Sequence, residues 1–141
     1  MIIVIYFLFW TFLAHMIFAL FMGPSALINM GAALQSLMTG RGLAMVSVEI
    51  IVGGVLAFGL FSLTAVSLPL LLEREIDFVT AMLLSLRTVR KNPFAMALWA
   101  AIIGALTILA MVPWFLGLLV ILPVLGHATW HLYRRALYKD I

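Results

Sequence analysis

The sequence predicts an all-α, polytopic membrane helical bundle, and three observations support this. Hydrophobic residues make up 67% and charged residues 9% of the 141-residue chain. A soluble fold of this size has no room to bury so much apolar surface. The apolar residues form runs long enough to cross a bilayer as helices. Seven of the eight lysines and arginines lie within residues 73–93 and 134–141, between or after those runs. We expect a single membrane domain over residues 1–141.

Four segments have the length of membrane spans: residues 1–22, 46–72, 94–112 and 114–133. The first would be roughly 33 Å long as a helix, enough to cross the hydrocarbon layer. Pro113 disfavours helix continuation between the third and fourth segments. One long kinked helix over both would measure roughly 60 Å, twice what a bilayer needs. We therefore predict four transmembrane helices arranged as two hairpins.

Two prolines share a local pattern. Pro69 and Pro123 both lie in V-x-L-P-x-L, near the same end of the second and fourth spans. The pattern fits a duplicated helical hairpin, and it fits two ordinary proline kinks equally well.

The distribution of cations predicts the orientation. Lys and Arg are enriched in cytoplasmic loops, so residues 73–93 and 134–141 should face the cytoplasm. Residues 23–45 carry only Arg41 and should face outward. Four spans connect these sides with both termini inside, whereas three spans would place the basic tail outside. The side chains expected to anchor the chain at anionic headgroups are Arg87, Arg90, Lys91, Arg134 and Arg135.

Two connecting stretches predict short interfacial amphipathic helices. Residues 25–39 follow Pro24 and carry apolar side chains at helical spacing. Residues 76–91 have acids near their start and cations at their end, an order that suits the helix dipole. In this second helix we expect one apolar face, made of Phe78, Met82, Leu86 and Val89, and a stop at Asn92 and Pro93.

Small residues spaced by four predict close helix packing. Gly53 and Ala57 lie on one face of the second span, and Ala97, Ala101 and Ala105 on one face of the third. Such stripes let helix backbones approach closely in lipid.

The segments EIDFVTAM (residues 75–82) and PVLGHATWH (residues 123–131) carry a family resemblance. With the sequence around them, residues 66–135, they closely resemble the C-terminal part of the bacterial integral-membrane family named domain of unknown function 2189. Members are longer, have additional N-terminal membrane helices and are sometimes labelled cytochrome c oxidase components. The resemblance implies a bacterial inner-membrane protein associated with the respiratory chain. This chain begins its first helix at Met1 without a basic lead-in, which fits a short member or a fragment and argues against a cleaved signal peptide.

Two histidines form the candidate metal site. His127 and His131 lie four residues apart, on one helix face. The predicted topology puts Asp77 at a similar depth, so His127, His131 and Asp77 make a candidate ligand set. The alternative is that both histidines bond to acids or backbone within an interfacial aromatic belt. Two histidines of one helix face cannot ligate opposite sides of a haem. The third histidine, His15, lies about 21 Å along the first span from its start, toward the opposite membrane surface.

The function expected from these features is non-catalytic. No catalytic motif is apparent, and the absence of cysteine excludes thiolate metal sites. Few ionisable groups enter the spans, Glu49 and His15 being the candidates. We expect no cofactor, no nucleic-acid partner, contact with membrane lipids, and an accessory role that packs against other membrane subunits. The alternatives are a metal- or haem-handling protein using His127 and His131, and a small-solute transporter.

The predicted orientation is testable with reporter fusions. A reporter fused after Ile141 should give a cytoplasmic signal, and one inserted within residues 23–45 a periplasmic signal, because the cation-rich segments stay inside. Equal signals from both fusions would contradict an even number of spans.

Overall fold

The computed structural model describes residues 2–23 and 37–137. These residues form helices α1 (Ile2–Met22), α2 (Gly40–Thr64), α3 (Ser67–Glu73), α4 (Phe78–Lys91), α5 (Pro93–Met111) and α6 (Leu118–Leu137). No strand occurs among them, so the all-α prediction is confirmed. The chain divides into two compact units, Met1–Leu60 and Phe61–Ile141. The outer helix predicted for residues 25–39 falls largely outside the described residues.

In the first unit, α1 and α2 pack against each other in antiparallel orientation. Trp10 lies against Gly53, where an added Cβ would come within 2.8 Å of the indole. Tyr6, one turn earlier in α1, lies against Gly59, further along α2. The order of these two contacts shows that the helices run in opposite directions. Along α1 the only buried side chain is that of Ile17, so this apolar helix presents most of its surface outward.

The second predicted span is longer than expected and is interrupted. It begins at Gly40 rather than near residue 46, and turns at Ala65 and Val66 before α3 continues to Glu73. Pro69 explains the break, because its ring has no N–H and clashes with the carbonyl four residues earlier. That carbonyl belongs to Ala65. The bend therefore lies one turn before the proline, at the junction between α2 and α3.

A side chain from α4 is inserted into this junction. In an unbroken helix the Val66 N–H would donate to the Ser62 carbonyl. Instead the Val66 N–H donates to the Ser85 hydroxyl oxygen (3.2 Å), and the Ser85 hydroxyl donates to the Ser62 carbonyl (2.8 Å). Ser85 is completely buried. One hydroxyl thus bridges the two backbone groups that the bend separates, and it holds α4 against the junction.

Helix α4 coincides with the helix predicted for residues 76–91, and its location at the membrane interface stays a prediction. Asp77 is its N-cap and accepts a hydrogen bond from the Thr80 N–H (3.1 Å). The buried residues of α4 are Ala81, Ser85 and Val89, whereas Phe78 of the predicted apolar face is 51% exposed. Small side chains at the first two positions let α4 approach the α2–α3 junction.

The hairpin between the third and fourth predicted spans is present, but its turn is longer than a single proline. Helix α5 ends at Met111 and α6 begins at Leu118, not at residue 114. Trp114 and Phe115 both adopt left-handed backbone conformations, with φ of 51° and 64°. L-residues rarely adopt this conformation, so a sequence pattern gives no sign of it.

Both ends of the hairpin establish that α5 and α6 are antiparallel neighbours. At the turn, an added Cβ on Gly117 would lie 2.7 Å from the Ala110 backbone, so only glycine fits. At the opposite end, Arg135 near the end of α6 lines a groove with Asn92 and Ala95 at the start of α5. Helix α6 therefore runs back along the length of α5.

Three helical stretches of the described chain are long and apolar enough to cross a membrane. They are Ile2–Met22, the bent stretch Gly40–Glu73, and Pro93–Met111. Helix α6 is not among them. Its first eight residues are apolar, but its second half contains two histidines and two arginines, which lower the mean hydropathy of the helix. The predictions of membrane-spanning helices are thus supported for three of the four segments.

Replacing Ser85 with Ala tests the inserted hydroxyl. The variant leaves a buried N–H and a buried carbonyl unpaired, so the free energy of unfolding should fall by about 1–3 kcal/mol. Thermal unfolding in detergent, followed by circular dichroism, measures the change. The matched control is Ser47→Ala, because the exposed Ser47 hydroxyl bonds only to the Leu43 carbonyl of its own helix. That control should change stability by no more than about 0.5 kcal/mol; equal losses in both variants would contradict a bridging role for Ser85.

Candidate functional site at the basic end of the second unit

The fold brings two groups of cations to one end of the second unit. Arg90 and Lys91 lie in the last turn of α4, and Arg134 and Arg135 lie in the last turn of α6. Because α5 starts directly after α4 and runs antiparallel to α6, the two helix ends are adjacent. We call this region, with its exposed side chains of Arg87, Arg90, Lys91, Arg134 and Arg135, the basic end.

Two open grooves lie at the basic end. The first, of about 470 Å³, is lined by residues of three helices: Thr88, Asn92, Ala95, Met96, Leu132, Arg135 and Ala136. The second, of about 500 Å³, is lined by Trp99, Ala128, His131, Leu132 and Arg135. Leu132 and Arg135 line both grooves, which are therefore neighbours. The walls are mostly apolar, and Arg135 is the charged residue that lines both grooves.

The two predicted metal-ligating histidines are neighbours, but Asp77 does not join them. The rings of His127 and His131 meet edge to face, with centroids 5.8 Å apart. The Asp77 carboxylate instead caps α4 and also accepts from the Thr80 hydroxyl (3.3 Å). Within residues 2–23 and 37–137, no three His, Asp or Glu side chains converge as a metal-binding group. The metal set stays a prediction made from spacing.

A contact that the sequence analysis missed holds α6 in place. Tyr133 is completely buried, and its hydroxyl donates to Oε2 of Glu73 at the end of α3. The Trp130 ring packs beside it, with centroids 5.3 Å apart. A buried tyrosine needs a partner for its hydroxyl, and Glu73 has the acceptor.

A family model described as Predicted integral membrane protein (DUF2189) matches residues 1–73. The chain belongs to this family. The match confirms the family that the sequence resembles, but not the region: it covers α1 to α3, and it overlaps the resembling stretch only at residues 66–73. No curated protein matches the chain, and no solved structure does.

The small residues of this DUF2189 protein fall into two different environments. Gly53 faces Trp10, and Ala57 lines the same groove between α1 and α2. Ala97, Ala101 and Ala105 are exposed along α5. The pair Gly53 and Ala57 thus packs against α1 inside the first unit, whereas the alanine stripe of α5 is exposed in the described part of the chain.

A double-mutant cycle on Tyr133→Phe and Glu73→Gln tests the contact between α6 and α3. Each single variant should lower the free energy of unfolding, and the two changes should couple by about 1 kcal/mol, because Tyr133→Phe removes the donor and Glu73→Gln removes the negative charge that strengthens the acceptor of the same hydrogen bond. Chemical denaturation in detergent supplies the four free energies. Pairing Tyr133→Phe with Glu75→Gln, an exposed carboxylate near Glu73, is the control and should couple by less than about 0.5 kcal/mol. Additive effects in the Glu73 cycle would show that the bond contributes nothing.

Proposed function

We propose that this DUF2189 protein is a non-catalytic accessory subunit that packs against other membrane-protein subunits. The observation that carries the proposal is the exposed stripe of Ala97, Ala101 and Ala105 on α5. It lies on a helix that is long and apolar enough to cross the membrane. Lipid tails are as apolar as leucine, so burial alone does not favour association there, and small residues favour close backbone packing instead.

Only a small part of α5 packs within the described residues, and the alanine stripe lies outside that part. Met96 and Ala110 are buried, with Gly117 lying on the backbone of Ala110 at the turn. The alanine stripe has no comparable cover in the described residues. A partner helix with its own small residues is the occupant that suits this face.

We further propose that α6 completes a fourth crossing, so that the chain forms two hairpins in a bacterial inner membrane with both termini in the cytoplasm. The antiparallel pairing of α5 and α6 supports this, because a helix that returns along a membrane span ends on the side where that span began. Arg135 and Asn92 then lie at one membrane surface, together with the cations of α4. A cation-rich surface is the cytoplasmic one by the positive-inside rule.

The host of the proposed subunit is a larger membrane complex. The respiratory labels attached to the family suggest a terminal oxidase, an association that rests on family membership and not on a contact in this structure. Exposed apolar side chains on α1, such as Phe7 (66%) and Phe12 (69%), offer further surface for lipid or subunit contact.

Native purification in mild detergent followed by mass spectrometry tests the accessory role. We expect membrane subunits to co-purify with the wild-type chain, and Ala101→Phe to reduce their recovery about fivefold or more, because a bulky side chain in a close helix contact costs about 1–3 kcal/mol. Val120→Phe on α6, at a position that is 65% exposed, is the control and should leave recovery unchanged. Isolation of a lone monomer that is insensitive to both substitutions would contradict the proposal.

A further inference from the structure

We propose that the paired grooves at the basic end form a binding site for one anionic phospholipid, with Arg135 contacting its phosphate. The site is made by α4, α5 and α6 and is separate from the alanine stripe. It requires only that the chain lies in a membrane, and not that it serves as an accessory subunit.

The charge at the grooves favours an anion. Arg135 lines both grooves, and no carboxylate from the described residues lines either one. No acidic side chain among residues 2–23 and 37–137 forms an ion pair with it. A guanidinium presents several N–H donors in a fixed fork that matches phosphate geometry. An anion with phosphate-like oxygens is therefore the ligand that the local chemistry suits.

The walls of the grooves favour a lipid over a soluble phosphate. Ala95, Met96, Ala128 and Leu132 supply apolar surface beside the guanidinium. A soluble phosphate would leave this surface exposed, whereas the glycerol and upper acyl chains of a phospholipid would cover it. Thr88 and Asn92 add polar residues to the lining of the first groove. A lining that combines polar and apolar residues suits a phospholipid, which carries both kinds of surface.

The position of the grooves matches the depth of a headgroup. Asn92 ends α4, and α5 is apolar from Phe94 onward, so Arg135 beside Asn92 lies at the edge of a membrane-spanning helix. Trp99 lies about two turns deeper, in the wall of the second groove. Its indole N–H is buried and has no acceptor among the described residues.

Arg134 provides a matched control for Arg135. The two arginines are adjacent, exposed and in the same helical turn, but Arg134 lines neither groove. Removing either cation weakens general attraction to anionic lipid equally. Only the loss of Arg135 removes a groove contact.

Native mass spectrometry of the full chain in detergent, titrated with phosphatidylglycerol or phosphatidylcholine, tests the site. The wild type should bind one phosphatidylglycerol in preference to phosphatidylcholine. Arg135→Gln should weaken phosphatidylglycerol binding about tenfold, and Arg134→Gln less than about threefold. Ala95→Phe, which fills the first groove without changing the charge, should also weaken it and decides the matter if Arg135→Gln does not fold.

Three outcomes would overturn the proposal. Equal losses in the two arginine variants would show general surface attraction. Equal affinity for the two lipids would remove the role of the anion. Full displacement of the lipid by millimolar inorganic phosphate, with phosphate itself bound to the lipid-free chain, would assign the groove to a soluble anion.

Discussion

One hydroxyl group holds together the helices of the second unit. Ser85 donates to the Ser62 carbonyl and accepts from the Val66 N–H, so it bridges the backbone groups that the bend before Pro69 separates. In a membrane, backbone groups without partners cost several kcal/mol each. The bend is therefore tolerated because α4 supplies the missing partner. In doing so, α4 is held at the junction, and the direct passage from Lys91 through Asn92 to Pro93 fixes where α5 begins.

A second contact closes this arrangement at the other end of the chain. The Tyr133 hydroxyl donates to Glu73, which joins α6 back to α3. The path from α3 through α4, α5 and α6 thus returns to its starting point, with Ser85 near the beginning and Tyr133 near the end. Both contacts use a fully buried polar side chain with a defined partner, and such contacts specify a unique arrangement more strongly than apolar packing does.

The sequence was sufficient for the all-α fold, the helix over residues 76–91 and the hairpin at Pro113, because composition, capping residues and proline act locally. It was insufficient where contacts between residues distant in sequence determine the structure. Nothing near Ser85 indicates that it inserts into a helix 19 residues away, or that the small residues Ala81 and Ser85 would be buried there. The left-handed conformations of Trp114 and Phe115 moved the start of α6 to Leu118. For the candidate site, charge alone picked out Arg134 and Arg135 together and did not separate them.

The orientation of α6 about its own axis explains why Arg135 lines the grooves and Arg134 does not. Residues of an α-helix follow one another at about 100° around its axis, so burying Tyr133 against α3 determines the direction of every neighbouring side chain. Ala128, Leu132 and Arg135 are spaced by four and three residues and share the face that lines the grooves. Arg135 lies about 200° from Tyr133, on nearly the opposite side of the helix, and Arg134 lies between the two directions. The difference between two adjacent arginines is thus set by a hydrogen bond on the far side of the helix, and the geometry of the basic end depends on a residue that carries no charge there.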